Sequence, residues 1–176
     1  MTKIISLTTS ILLTGILLSS CNNPSDSKVN SVETTEMTET EKETAKKEIS
    51  SVNTEVIKGV NELNADAALK GYSTDVKGVN ADGTSFDYAS LASGLKQSFG
   101  GVKSLNFTKV KEDFKFISKS FVLCTWTGTV EPELKTGEHL KSDPHTASLL
   151  YSKINNEWKI VYEHDSEAPA KAVARK

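Results

Sequence analysis

The residues best suited to chemistry lie in one stretch, Trp158-Lys159-Ile160-Val161-Tyr162-Glu163-His164-Asp165-Ser166. Strand alternation puts Trp158, Ile160, Tyr162 and His164 on one face, and Lys159, Glu163 and Asp165 on the other, with Val161 among them. The first face is aromatic and apolar and ends in an imidazole. That suits a strand lining a core or pocket with one polar group at its mouth. As an acid or base, His164 would suit neutral chemistry, because an unperturbed imidazole titrates near pH ~6.5. As a structural residue it would hydrogen-bond across the sheet. Asp75 can orient such a histidine or cap a turn after Tyr72. Tyr72, Tyr88, Trp126, Trp158 and Tyr162 are the candidate pocket walls, and the same spacings also build plain aromatic cores.

Other chemistries lack their residues. His139, His145 and His164 show no metal-ligand spacing, and Glu163-His164-Asp165 puts neighbours on opposite strand faces. No glycine-rich phosphate loop occurs, and Ser166 follows no nucleophile-elbow pattern. Neither metal nor cofactor is expected. Cys21 and Cys124 are the two cysteines. Cys124 sits in the apolar run 121–126 and reads as a buried, inert thiol rather than a nucleophile.

Positioning these groups requires helices first and strands after. Ala45, Ile49, Val52, Val56, Val60 and Leu63 recur at spacings of three and four, the mark of an amphipathic helix beginning near Glu41. Asn64-Ala65-Asp66 is a break and a cap before a short helix from Ala67 to about Tyr72. Asp82-Gly83 signals the turn of a short hairpin within 73–84. A second amphipathic helix, from about Asp87 to Phe99, carries Tyr88, Leu91, Leu95 and Phe99 and ends at Gly100-Gly101. From Val102 onward the chain reads as strands, with a loop or ragged hairpin over 131–143 and a tight turn at Asn155-Asn156. Segregated helices and strands imply an α+β domain of typical size over 45–168, with helices packed on a strongly curved antiparallel sheet. Residues 169–176 read as a loose tail.

The amino terminus reads differently. Lys3 precedes an apolar run over 4–18, shorter than the roughly 20 residues of a membrane-spanning helix, so 1–20 has the form of a signal peptide. Leu18-Ser19-Ser20-Cys21 resembles a bacterial lipobox, which implies cleavage before Cys21 and acylation of its thiol. The polar stretch 21–44 would then be a flexible tether. Losing 1–20 removes Lys3 alone among charged residues, taking the formal charge from -2 to -3. No basic excess recommends nucleic acid. The expected partners are a membrane, through Cys21, and a hydrophobic small molecule. Asn22 after the cysteine favours the outer membrane in enteric-type bacteria.

Leu63-Asn64-Ala65-Asp66, Tyr72-x-x-Asp75, Asp82-Gly83 before a helix, and Trp158-Lys159-Ile160-Val161-x-x-His164-x-Ser166 together resemble the nuclear transport factor 2-like superfamily, in its SnoaL-like branch. The resemblance covers roughly 49–169. It implies a cone-shaped α+β barrel whose sheet wraps a long helix around a pocket, and often a homodimer through the outer sheet face. The superfamily includes ketosteroid isomerases, polyketide cyclases, dehydratases and members without catalysis. The isomerase tyrosine would fall at or near Gly59 and its general-base aspartate near Asn80, with Asp82 two positions away. Neither Gly59 nor Asn80 can do that chemistry. The expectation is therefore a non-catalytic ligand-binding or interaction module. The alternative is an isomerase, cyclase or dehydratase acting on a ketone-type substrate, with His164 and Asp75 moving the proton.

Overall fold

The computed structural model describes residues 36–173, so the stretch read as a signal peptide, Cys21 and most of the stretch read as a tether lie outside the described residues. Helix α1 spans Glu39–Asn61. It starts inside the stretch read as tether, because Thr38 and Glu41 close a capping box: the Thr38 hydroxyl accepts from the Glu41 amide and the Glu41 carboxylate accepts from the Thr38 amide. Leu63 takes a positive φ of 54°, and Asn64 then caps α2, Ala65–Ala68, which runs on into a 3-10 turn at Leu69–Gly71. Gly59 is where α1 meets α2. A β-carbon there would stand 2.4 Å from the Ala68 nitrogen, so no side chain fits.

Strand β1, Tyr72–Val79, pairs antiparallel with the short β2, Ser85–Asp87. The Asp82 carboxylate accepts from the Thr84 amide and hydroxyl in the turn between them, and Gly83 takes φ +85°. Asp87 caps α3, Tyr88–Gly101. Four long strands follow: β3, Val102–Ser118; β4, Phe121–Leu134; β5, Leu140–Ile154; and β6, Glu157–Glu167. Asn155 and Asn156, both at positive φ, make the tight turn expected between β5 and β6.

The sheet runs in the order β2-β1-β6-β5-β4-β3, curved and unclosed, with the helices packed against it. It is mixed rather than wholly antiparallel, since β1 lies parallel to β6. The loose tail is also corrected. Lys171–Ala172 forms β7 against Leu140 and Lys141, and Val173 donates to the His139 carbonyl. β7 takes the edge of β5 beyond the end of β6, where backbone groups would otherwise go unpaired.

Ile49 of α1 meets Val76, Val122, Tyr151 and Ile160 in a fully buried core. A polar cluster crosses it. Asn53, buried on α1, accepts from the Tyr151 hydroxyl and donates to Glu112 at 2.6 Å, and Ser50 donates to the other Glu112 oxygen at 2.6 Å. The expected apolar stripe of α1 thus contains an amide that ties the helix to β3 and β5. Buried polar groups need such partners.

Candidate functional site

The strand β6 does not alternate throughout. Tyr151 pairs with Ile160, but the next residue, Leu150, pairs with Tyr162. Val161 is the extra residue of a β-bulge, and a bulge exchanges the two faces of everything beyond it. Before the bulge, Trp158 and Ile160 point inward and are buried. After it the odd residues face inward: Glu163 lies opposite Leu149, Asp165 opposite Ala147, and Glu167 opposite His145.

Those residues line a cavity of about 760 Å³ between the concave sheet, α1 and α3. Its walls are mainly apolar, with Leu91, Leu95 and Phe99 from α3 facing Phe107, Trp126 and Ile160. Small residues keep the sheet side low. Ala147 stands between Asp165 and Trp126 in one row across the strands, and Gly128 lies beside His145. Gly78 pairs with Glu163, and a β-carbon on it would come within 2.5 Å of the Glu163 carbonyl oxygen and strike the Phe86 ring.

The polar groups form one connected set in this apolar setting. The His145 ring stands edge-on to Phe107 and Trp126, with centroids 5.7 and 5.6 Å away. Its Nδ1 lies 3.3 Å from Glu167 Oε2, and its Nε2 lies 3.8 Å from Asp165 Oδ1. Burial, and then the adjacent Asp165 charge, push the Glu163 carboxyl up to about 8, while the Tyr72 hydroxyl pulls it the other way. Burial also raises Asp165, against the pull of His145. Burial, then the Glu163 charge, raises Tyr72 well above its ordinary value, so its hydroxyl stays protonated. Glu163 Oε2 is buried without a hydrogen-bond partner.

The expected site is only partly this one. Tyr72 and Trp126 line the cavity. Tyr88 packs against the core from α3 instead. Trp158 is buried, but its indole donates to Glu48 at 2.9 Å beside a separate crevice of about 190 Å³. His164 and Tyr162 face outward and are exposed, the consequence of the Val161 bulge. Asp75 is exposed on β1 and cannot orient a histidine in the cavity. Asn80 stands on the cavity rim and donates to Thr84 at 3.0 Å, while Asp82 is engaged in the turn. Cys124 is a free, buried thiol pushed up to about 12 by burial. The residues missed are Glu163, Asp165, Glu167, His145 and Asn53. Beyond Tyr162 both faces of β6 are polar, so no hydrophobic alternation remains to fix which one is inside. The one available signal was the acid at every second position, Glu163-x-Asp165-x-Glu167.

No family model and no curated protein sequence matches the chain. Solved structures do. A hexachlorocyclohexane dehydrochlorinase from Novosphingobium barchaimii matches with TM-score 0.69 at 10% identity, over 79% of this chain and 97% of its own. A scytalone dehydratase candidate from Novosphingobium aromaticivorans matches with TM-score 0.70 at 6% identity, over 78% and 93%. A nuclear transport factor 2-like superfamily protein from Salmonella enterica matches with TM-score 0.66 at 14% identity, over 74% and 94%. Likeness at such low identity is likeness of fold: this chain has the nuclear transport factor 2-like fold.

Proposed function

We propose that the cavity is an acid–base site for a largely apolar small molecule, with His145 as the group that moves the proton. The carrying observation is the setting of that ring. An ionised carboxylate can only accept, so Glu167 at 3.3 Å holds the proton on Nδ1 and leaves the Nε2 lone pair free. Nε2 faces Asp165 across 3.8 Å, too far for a hydrogen bond, so it is open to a substrate proton. In the step proposed, Nε2 takes a proton from a substrate C–H. The electron pair left behind either accepts a proton at another atom, an isomerisation, or expels a leaving group, an elimination. Two proteins sharing the fold carry names that denote elimination, a dehydrochlorinase and a dehydratase candidate.

The non-catalytic reading rested on missing acid–base residues at Gly59 and Asn80. A cavity containing His145, Asp165 and Tyr72 removes that ground, though through residues other than His164 and Asp75. The test is deuterium wash-in at the α-carbon of 2-tetralone in D₂O, followed by NMR. General acid–base groups contribute about 10²–10⁴-fold, so His145→Gln should lose at least 10²-fold. Equal exchange by both proteins, at matched melting temperature, would overturn the assignment.

The chain is further proposed to be held at a bacterial envelope, most simply the outer membrane, by acylation of Cys21, with the stretch before α1 as its tether. Cys21→Ala should move the protein from the detergent phase to the aqueous phase. A homodimer through the outer sheet face belongs to the same reading.

A further inference from the structure

The charged groups of the cavity are unbalanced. Among the described residues that line it, Glu163, Asp165 and Glu167 are acids, His145 is the one group able to be cationic, and neither lysine nor arginine contributes. His145 can match at most one acid, and it is placed against Glu167 and Asp165. Glu163 has no cation beside it, and its Oε2 is buried with no donor. A buried carboxylate oxygen without a donor is costly, and protonation or a bound cation relieves that cost. The groups that act on Glu163 are Tyr72 on β1, Tyr151 on β5 and Asp165 on β6, while His145 and Glu167 are the other charged or titratable residues of the same lining. The polar residues that α1, β2 and α3 contribute to the lining are uncharged: Asn53, Ser85, Ser90 and Ser98. Aromatic rings of Phe86 and Trp126 also line the cavity, and ring faces attract cations.

We propose that the ligand is a hydrophobic amine, whose ammonium group binds against the Glu163–Asp165 carboxyl pair while its hydrocarbon part fills the space under Leu91, Leu95 and Phe99. This deepens the acid–base reading and rests on the cavity being a ligand site. An ammonium supplies the donor that Glu163 Oε2 lacks. Carboxylate and phosphate ligands are disfavoured, because they would meet unpaired acids in a low-dielectric space. Binding is accompanied by proton release: the incoming R–NH₃⁺ displaces the proton that Glu163 holds in the empty cavity, and that proton passes to the buffer. Amine affinity therefore rises from about pH 6 to about pH 8, as Glu163 gives up its proton more readily.

The experiment is calorimetry on the wild-type protein with three isosteric probes: 1-naphthylmethylamine, 1-naphthylmethanol and 1-naphthoate. Each is titrated at about pH 7 in two buffers of different ionisation enthalpy. The expected result is an amine at least tenfold tighter than the alcohol, no measurable binding of the naphthoate, and net proton release for the amine alone. In Glu163→Gln, with its fold checked by its melting curve, the amine advantage should fall below threefold. An alcohol as tight as the amine, or tighter, overturns the inference and leaves the apolar cavity standing as a site. An amine advantage that survives in both Glu163→Gln and Asp165→Asn also overturns it. Binding of none of the three probes removes the inference and the cavity reading together.

Discussion

Glu163 couples the cavity to pH. Its folded-state value of about 8 lies above its ordinary 4.5, so between those values the folded protein keeps a proton that the unfolded chain has lost. Stability must therefore fall as pH rises from about 4.5 to about 8, and Asp165, raised in the same direction, adds to that slope. Glutamine has the shape of the protonated acid and cannot ionise. Glu163→Gln should match the wild type in unfolding free energy at about pH 4 and exceed it at pH 8–9, by up to a few kcal/mol at ~1.4 kcal/mol per pKa unit, as read from urea unfolding. Parallel curves for the two proteins across that range would contradict the shift. Cys124 gives a second residue-level check. Its thiol stays protonated and covered, so a thiol-reactive dye should label it on unfolding and not before.

The pieces of the fold that were legible in the sequence are those a local pattern specifies. Asn155-Asn156, Asp82-Gly83 and the Leu91, Leu95, Phe99 stripe of α3 all stand as their residue types demand. The site depends instead on one inserted residue. Val161 is β-branched and apolar like its neighbours, so nothing local marks it as unpaired. Yet its insertion decides that Glu163 and Asp165 face the cavity and that Tyr162 and His164 do not. Deleting Val161 should restore plain alternation with the same partners across β5, leaving Tyr162 and His164 outward and Glu163 and Asp165 inside. The expected outcome is a protein with its β-sheet circular dichroism retained and with the pH slope assigned to Glu163 kept. A deletion variant that loses that slope would show that the strand shifts its register and turns the acids out. Asn53 is equally hidden, as a polar residue within an apolar helical stripe. Asn53→Ala orphans the Tyr151 hydroxyl and a Glu112 oxygen, at about 1–3 kcal/mol each. Adding Tyr151→Phe removes one orphan, so the double variant should lose less than the sum of the two single changes, as measured by urea unfolding.

On the scale of the whole molecule, the bulge that brings acids in also sends apolar surface out. Tyr162, now outward, pairs with Leu150, which pairs with Leu123, and Phe121 stands nearby on β4. Tyr162 and Phe121 are 40% and 42% exposed. Such a row on the convex side of a sheet is the place where a second copy would bury it, and a stable contact needs roughly 800 Å² from each partner. In the homodimer reading the two cavities face away from the interface, because inner and outer residues alternate across the same strands. Tyr162→Lys should then split the dimer in sedimentation velocity by placing like charges near the interface centre, with no change in amine binding. A wild-type protein that sediments as a monomer at high micromolar concentration removes the dimer. A Tyr162→Lys variant that stays dimeric places any interface elsewhere on the molecule.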